Sequence, residues 1–208
     1  MAVYLNEAQT GCDRAMIGFP NLLVCMGFVV QTKAWLYGIH FDAPSATGAL
    51  AEALRGFIAE RGGEIGNAVA IYGACNWNER YRNSAKKKDA WKAEMRVIAG
   101  VLGYKGPAAG FDTSIIPSAN MGRYVEYHPD YAQKRCRIYY KGQDNADFTS
   151  SGVAPAAALK QTRGNVHTYK VLNQQPIEPK GNVTLTTASA AAGLAELDYA
   201  LRLERFRI

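Results

Sequence analysis

The stretch LLVCMGFVV over residues 22–30 and the stretch AWLYGIHF over residues 34–41 decide the fold of this chain. Both are rich in β-branched, aromatic and other apolar residues, which are typical of strands. Only Gln31, Thr32 and Lys33 separate them, and so short a connection predicts a β-hairpin. The sequence therefore predicts a domain built around this hairpin.

Helices and further strands are predicted on the C-terminal side of the hairpin. They are a helix opened by Pro44 and Ser45 and stopped by Gly62-Gly63, a strand over 67–74, a helix capped by Asp89 and ended by Gly103, strands over 123–128 and 135–141, a surface loop over 142–165, strands over 166–172 and 182–186, and a C-terminal helix from about Ser189. This order predicts the class α/β (α+β), with a mixed, largely antiparallel sheet or sandwich and flanking helices. We expect one domain over 1–208, with its core at about 14–141 and a C-terminal strand and helix extension over 166–208.

Composition narrows the classes of protein to which the chain can belong. Hydrophobic residues make up 48% of it, but the longest apolar stretch, 22–30, is far short of the roughly 20 residues of a membrane helix. Asn6, Glu7, Asp13 and Arg14 interrupt the N-terminus where a signal peptide needs an apolar region. We expect no membrane association, and either a cytoplasmic location or secretion without a cleavable signal peptide into a host or target cell.

The basic charge of the chain bears on its partners. The formal net charge is +6 and the pI is about 9.1, but the basic clusters are short: Lys86-Lys87-Lys88, Lys134-Arg135 with Arg137, and Arg202, Arg205 and Arg207. Short clusters are more typical of solvated helix faces and loops than of a nucleic-acid interface. No nucleic-acid partner is expected, whereas a protein substrate with an acidic surface fits the charge.

The four cysteines, Cys12, Cys25, Cys75 and Cys136, lie far apart and form no CxxC motif. This spacing disfavours a zinc or thioredoxin-type site. A chain of this size can also build a core without disulfide bonds. We therefore expect free thiols, no metal and no organic cofactor.

One cysteine and one histidine are brought together by the predicted hairpin. A turn centred between Thr32 and Lys33 places Cys25 directly opposite His40. Opposed residues have Cβ atoms about 4.5–5.5 Å apart, which is close enough for a thiol–imidazole contact. An adjacent imidazole can take the thiol proton and generate a nucleophilic thiolate. The pattern predicts Cys25 and His40 as catalytic residues.

The same register places Gly27 opposite Gly38. Glycine weakens a strand, so two facing glycines next to the thiol predict a groove that admits a substrate side chain. The competing interpretation is that Cys25 is a small apolar residue of the core, as buried cysteines commonly are. Structural roles are the default for His128 and His167 and for Cys75 and Cys136.

The residues from Leu22 to Tyr140 resemble the chemoreceptor glutamine deamidase CheD, and their hairpin resembles the catalytic domain of cytotoxic necrotizing factor. The resemblance lies in a strand cysteine followed by a hairpin histidine 15 residues later, and in the segments that come after it. Those segments are IHF at 39–41, Ala43-Pro44, the helix from Thr47, AIYGA at 70–74, the helix around Trp91, FDT at 111–113 and RYVEY at 123–127. They cover a little over half of the chain.

The resemblance implies a cysteine-dependent protein glutamine deamidase, a kind of enzyme that includes bacterial toxins. The thiolate of Cys25 would attack a glutamine side-chain amide, and His40 would protonate the departing ammonia. This chain departs from CheD at Phe19, where CheD has a catalytic threonine, and at Leu23-Val24, where CheD has Gly-Ser. The group that orients His40 is therefore unidentified, and a backbone carbonyl is one candidate. Cys12, in the tripeptide Thr10-Gly11-Cys12, is a minor alternative nucleophile.

Two other functions fit the same residues. One is a different Cys–His hydrolase, such as a protease or a peptidoglycan amidase, and the other is a non-enzymatic binding module. Both kinds of enzyme predict a close Cys25–His40 pair that faces a groove. The binding module predicts a fully buried thiol that makes no contact with histidine.

Overall fold

Two β-sheets and a layer of helices form the part of the chain that the computed structural model describes, which comprises residues 3–118, 122–142, 166–168, 195–196 and 203–208. The strands are β1 (Val3–Tyr4), β2 (Gln9–Asp13), β3 (Ile17–Phe19), β4 (Met26–Thr32), β5 (Leu36–Phe41), β6 (Ala68–Cys75), β7 (Pro107–Asp112), β8 (Arg123–Asp130), β9 (Arg135–Gly142), β10 (Val166–Thr168), β11 (Ala195–Glu196) and β12 (Glu204–Arg207). The α-helices are α1 (Thr47–Glu60), α2 (Trp77–Arg80) and α3 (Lys87–Leu102), and short 3₁₀ turns lie at Pro44–Ala46, Ile65–Asn67 and Thr113–Ile115.

The larger sheet has seven strands in the order β10-β2-β5-β4-β6-β7-β12, so that the hairpin of β4 and β5 lies in its middle. All of its pairs are antiparallel except β6 with β7. The smaller sheet has the order β1-β3-β8-β9-β11, and only β1 with β3 is parallel. The predicted class, a mixed and largely antiparallel α+β fold with flanking helices, is confirmed.

Strand β4 is buried on both faces, which explains its nearly continuous apolar sequence. Met26, Phe28 and Val30 point toward the helices, where α1 and α3 contribute an apolar stripe that includes Leu54 and Trp91. Val29 points the other way, into a second core shared with the smaller sheet. The hairpin is therefore sandwiched between a helical layer and a sheet.

Two glycines end the predicted helices as the sequence indicates. Gly62 and Gly103 both adopt the left-handed conformation, with φ of 67° and 72°, and such residues close helices because they have no Cβ. Helix α3 begins at Lys87, ahead of the predicted cap at Asp89, which instead lies in the first turn. A carboxylate there still stabilises the helix by its interaction with the helix dipole.

Several predicted elements differ from the structure. Residues 22–25 are not part of a strand, because the chain bends there and the Leu22 amide bonds to the Arg123 carbonyl. The predicted C-terminal helix is wrong where it can be compared, since Ala195–Glu196 and Glu204–Arg207 are strands. Strands β1, β2, β3 and β7 were not predicted; β2 and β7 are short and rich in small or polar residues. The predicted loop beyond residue 142 and the strand at 182–186 lie outside the described residues.

The described helices also bear on membrane insertion. None of them is both long enough and apolar enough to span a bilayer.

Candidate active site

The register of the central hairpin differs by two residues from the predicted register. His40 lies opposite Gly27, and Gly38 lies opposite Val29, so the predicted pairs of Cys25 with His40 and of Gly27 with Gly38 are wrong. The reason is the turn. The side chain of Thr32 accepts hydrogen bonds from the amides of Ala34, at 3.4 Å, and Trp35, at 3.0 Å, which moves the centre of the turn one residue along the chain.

A shift of two residues keeps Cys25 and His40 on the same face of the sheet, because side chains alternate with a period of two. Both face the smaller sheet: Cys25 belongs to the second core, and the His40 ring packs edge-on against Phe19 at 6.0 Å. Cys25 immediately precedes β4 and lies diagonally from His40, two residues before the Gly27 that pairs with that histidine. No hydrogen bond joins the two side chains in the described part of the chain.

The imidazole of His40 is held by the backbone. Its Nδ1 lies 2.8 Å from the Leu5 carbonyl, which can only accept, so Nδ1 carries the proton. This leaves Nε2 as the unprotonated nitrogen, and Nε2 is buried with no hydrogen-bond partner. Burial lowers the pKa of His40 to about 4, which keeps the ring neutral at physiological pH. The Leu5 carbonyl is the orienting group that the sequence left unidentified.

The thiol of Cys25 is held in its protonated form. It is 1% exposed, and its Sγ donates to Oε1 of Glu7 at 3.3 Å. Burial raises the pKa of Cys25 well above its ordinary value, and the charge and hydrogen bond of Glu7 and the charge of Asp42 raise it further. Arg80 has the opposite but smaller effect. In this state Cys25 is not the thiolate that a reactive Cys–His pair would contain.

Among the described residues, Glu7, Cys25 and Asp42 have side-chain atoms close enough together to hold a metal ion. One ligand atom of each lies within 4.8 Å of the others. If Cys25 lost its proton, its thiolate and the two carboxylates could bind a divalent cation such as zinc. Cysteine spacing gave no sign of this group, because its three members come from three separate segments of the chain.

The two glycines do not border an open groove. A Cβ added to Gly27 would lie 2.7 Å from the Phe19 ring, and one added to Gly38 would lie 3.1 Å from Ile17 and Leu5. The hydroxyl of Tyr127, from the smaller sheet, also donates to the Gly27 carbonyl at 3.1 Å. The predicted groove is therefore wrong: the glycines allow the smaller sheet to approach the larger one closely.

Arg80 anchors the two chain segments on either side of the thiol. Its guanidinium is fully buried and donates through Nη1 to the Val24 carbonyl at 2.7 Å and the Asp42 carbonyl at 2.5 Å. Its Nη2 and Nε reach the carboxylate of Glu94 on α3, at 2.6 and 2.9 Å. Sequence reasoning missed this residue, because a single arginine in a short polar segment carries no signal.

The short helix that carries Arg80 is fixed at its start. Asn76 caps it by accepting from the amides of Asn78 and Glu79, and the Trp77 ring stacks on Trp91 of α3 at 5.4 Å and 26°. These contacts hold the segment that carries Arg80 against α3.

The other three cysteines and His128 lie away from the Cys25 thiol. All four cysteines are free, as expected, and all four are buried. Cys75 contacts the Tyr81 hydroxyl at 3.8 Å, and Cys136 contacts Gln31 at 3.4 Å. His128 pairs with Glu126 at 2.7 Å. Cys12 lies in β2 opposite Tyr37, on the helix-facing side of the sheet and therefore away from the face that His40 occupies.

Comparison with known proteins gave no family: no protein-family model, no curated protein and no solved structure matches this chain.

Proposed function

We propose that this chain is a cysteine-dependent protein glutamine deamidase in which Cys25 is the nucleophile and His40 is the proton carrier. The observation that carries the proposal is the state of His40. Its Nδ1 is committed to the Leu5 carbonyl, and its buried Nε2 has a free lone pair on the sheet face that Cys25 shares. A general base requires such an oriented, neutral imidazole.

The reaction would proceed by covalent catalysis. Cys25 Sγ attacks the side-chain carbonyl carbon of glutamine while Nε2 of His40 accepts the thiol proton. The proton then passes to the amide nitrogen, ammonia leaves, and a thioester remains. Water activated by His40 hydrolyses the thioester to glutamate and restores the thiol. Backbone N–H groups near Cys25 would stabilise the oxyanion.

The diagonal position of the two residues is compatible with this chemistry if the proton moves through one water or through the substrate amide. The pKa of His40, lowered to about 4 by burial, keeps the imidazole neutral at rest but makes it a weak base, so the proposed proton transfer requires a bound substrate that stabilises the protonated imidazole. After His40 the chain has a turn at Pro44 and then α1, β6, the short α2 and α3, whereas the CheD resemblance implies a turn, a helix, a strand and one further helix.

A second candidate is a non-enzymatic binding module in which Cys25 is a core residue. The 1% exposure of the thiol and the absence of a Cys25–His40 hydrogen bond in the described structure favour it. Catalytic release of ammonia from a protein substrate is expected of the deamidase and not of the binding module.

The test uses the full chain and a mixture of native proteins from a cell lysate. Deamidated glutamines are mapped by mass spectrometry, and ammonia release is followed by a coupled assay. The variant His40→Asn keeps a donor for the Leu5 carbonyl but removes Nε2. We expect it to lose activity, as Cys25→Ala does, while Cys136→Ala, which removes an equally buried thiol from the same core, stays active. Turnover that survives Cys25→Ala, or no turnover by the wild-type protein, would contradict the proposal.

A further inference from the structure

A pocket lies where the turn between β4 and β5 meets the end of α1. Its volume is about 270 Å³, just below the roughly 300 Å³ at which the usual range of small-molecule sites begins. Lys33 and Trp35 line it from the turn, and Arg61 and Gly63 line it from the segment that follows α1. Tyr37 of β5 lines it as well, on the helix-facing side of the larger sheet. The pocket is therefore on the opposite face of that sheet from the candidate active site.

The hydroxyl of Tyr37 is a buried polar group that lacks a hydrogen-bond partner. Tyr37 is only 3% exposed, and within the described part of the chain no hydrogen bond reaches its hydroxyl. The hydroxyl lies at the wall of the pocket that Gly63 forms, because a Cβ added to Gly63 would be 2.5 Å from its oxygen. Burial raises the pKa of Tyr37, so the hydroxyl keeps its proton and can donate it. A ligand that accepts from this hydroxyl would satisfy a donor that the protein leaves unpaired.

The charges around the pocket favour an anionic ligand. Lys33 is exposed at the turn, and the charge of Arg61 reaches the Tyr37 hydroxyl, where it opposes the effect of burial on the pKa. Glu64 is the acidic side chain that lines the pocket, and its carboxylate accepts a hydrogen bond from Asn67 at 3.0 Å. Two cations and a hydroxyl donor therefore surround a space in which the acidic group already has a partner.

Trp35 adds an apolar surface to the same pocket. Its side chain is half-buried, and the guanidinium of Arg14 lies over its ring at 4.5 Å, which holds the indole in place. An indole offers a flat apolar group of a ligand a large contact area. The pocket thus combines an anion-binding end with an aromatic wall.

We propose that this pocket binds a small organic anion, a carboxylate attached to a flat apolar group. The carboxylate accepts a hydrogen bond from Tyr37 and lies beside Lys33 and Arg61. The flat group packs against Trp35. This binding site is separate from Cys25 and His40 and does not depend on the proposed function.

The experiment titrates the isotope-labelled full chain with benzoate and follows the indole N–H signals of its three tryptophans by NMR. The Trp35 signal, assigned by its loss in Trp35→Phe, is expected to shift and saturate. The signals of Trp77 and Trp91, which stack on each other outside the pocket, should stay in place. Benzamide has nearly the same shape without the charge and should bind at least about tenfold more weakly. Inorganic phosphate, which has no flat group, should also bind more weakly than benzoate.

Two variants and a control assign the binding to these residues. Tyr37→Phe removes only the hydroxyl and should weaken benzoate binding by about tenfold, since a hydrogen bond to a charged group contributes about that much. Lys33→Gln, at an exposed position, should weaken it as well. Tyr104→Phe is the matched control, because Tyr104 is 5% exposed but lies outside the pocket and donates to the Pro107 carbonyl at 2.9 Å. It should bind benzoate as the wild-type protein does.

Several results would overturn the proposal. One is a Trp35 signal that does not move, or one that moves together with those of Trp77 and Trp91, because binding would then be absent or unspecific. Another is benzamide binding as tightly as benzoate, or Tyr37→Phe keeping the wild-type affinity. Phosphate binding as tightly as benzoate would mean that the pocket takes a bare anion and would overturn the assignment of an organic ligand.

Discussion

Replacing Gly27 by alanine tests whether the two sheets are in contact at the site. The added Cβ would lie 2.7, 2.9 and 3.0 Å from three atoms of Phe19, where ordinary van der Waals contact begins at 3.4 Å. The Phe19 ring is fully buried and cannot withdraw freely, since it also packs against His40 at 6.0 Å and Tyr127 at 5.8 Å. Overpacking of this kind costs about 1–3 kcal/mol.

Alanine also has a favourable effect on the strand. It is less flexible than glycine in the unfolded chain, which offsets the cost by about 0.5–1 kcal/mol. We therefore expect Gly27→Ala to lower the free energy of unfolding by up to about 2.5 kcal/mol. Urea denaturation, monitored by tryptophan fluorescence, measures this change in the free energy of unfolding.

Two companion variants make the prediction specific. Gly56→Ala, in α1 with open space around it, is expected to stabilise the protein by about 0.5–1 kcal/mol. The double variant Phe19→Leu/Gly27→Ala should be less destabilised than the sum of its single changes, because a smaller side chain leaves room for the methyl group. A Gly27→Ala protein as stable as the wild type, with no coupling to Phe19, would mean that an open space adjoins Gly27 after all.

Two further predictions concern buried charge. Arg80→Met leaves Glu94 buried without its partner and should cost about 3–5 kcal/mol, whereas Arg55→Met, in an exposed pair with Glu52, should cost at most about 1 kcal/mol in the same urea titration. The pKa of His40 is about 4 in the folded protein and 6.5 in the unfolded chain, so His40 of the unfolded chain is protonated first as the pH falls. The contribution of neutral His40 to the free energy of unfolding is complete above pH 6.5 and should fall by roughly 3 kcal/mol as the pH is lowered to 4. A His40→Asn protein that loses the same free energy over this pH range would refute the lowered pKa.

Local signals in the sequence were sufficient to predict the hairpin and the residues at which the helices end. Apolar, β-branched runs on either side of a short polar turn specify a hairpin, and Gly62 and Gly103 end helices because a left-handed residue is easiest without a Cβ. The register was not accessible in the same way. It depends on the Thr32 side chain accepting bonds from within its own turn, which is one of several turns that the same letters could form.

The candidate site was predicted only in part, because it is formed by residues that are far apart in the sequence and meet only in the folded chain. Cys25 and His40 share a face as predicted, but only because the true register differs from the predicted one by an even number of residues. Glu7 and Leu5, which contact them, come from a segment with no distinctive pattern, so sequence spacing could not bring them to the hairpin. Phe19 was noted as a departure from a family motif, and its ring against Gly27 could not be foreseen from that comparison.

The stacked rings of Trp77 and Trp91 give this protein an optical signal of its own. Two indoles in face-to-face contact couple their electronic transitions, and the coupled pair produces a circular-dichroism couplet that isolated tryptophans lack. Trp77 begins the short helix that ends at Arg80, whereas Trp91 belongs to α3. The couplet therefore reports whether that helix is seated on α3, in solution and without a label, while Cys25 is being modified or a candidate substrate is being added.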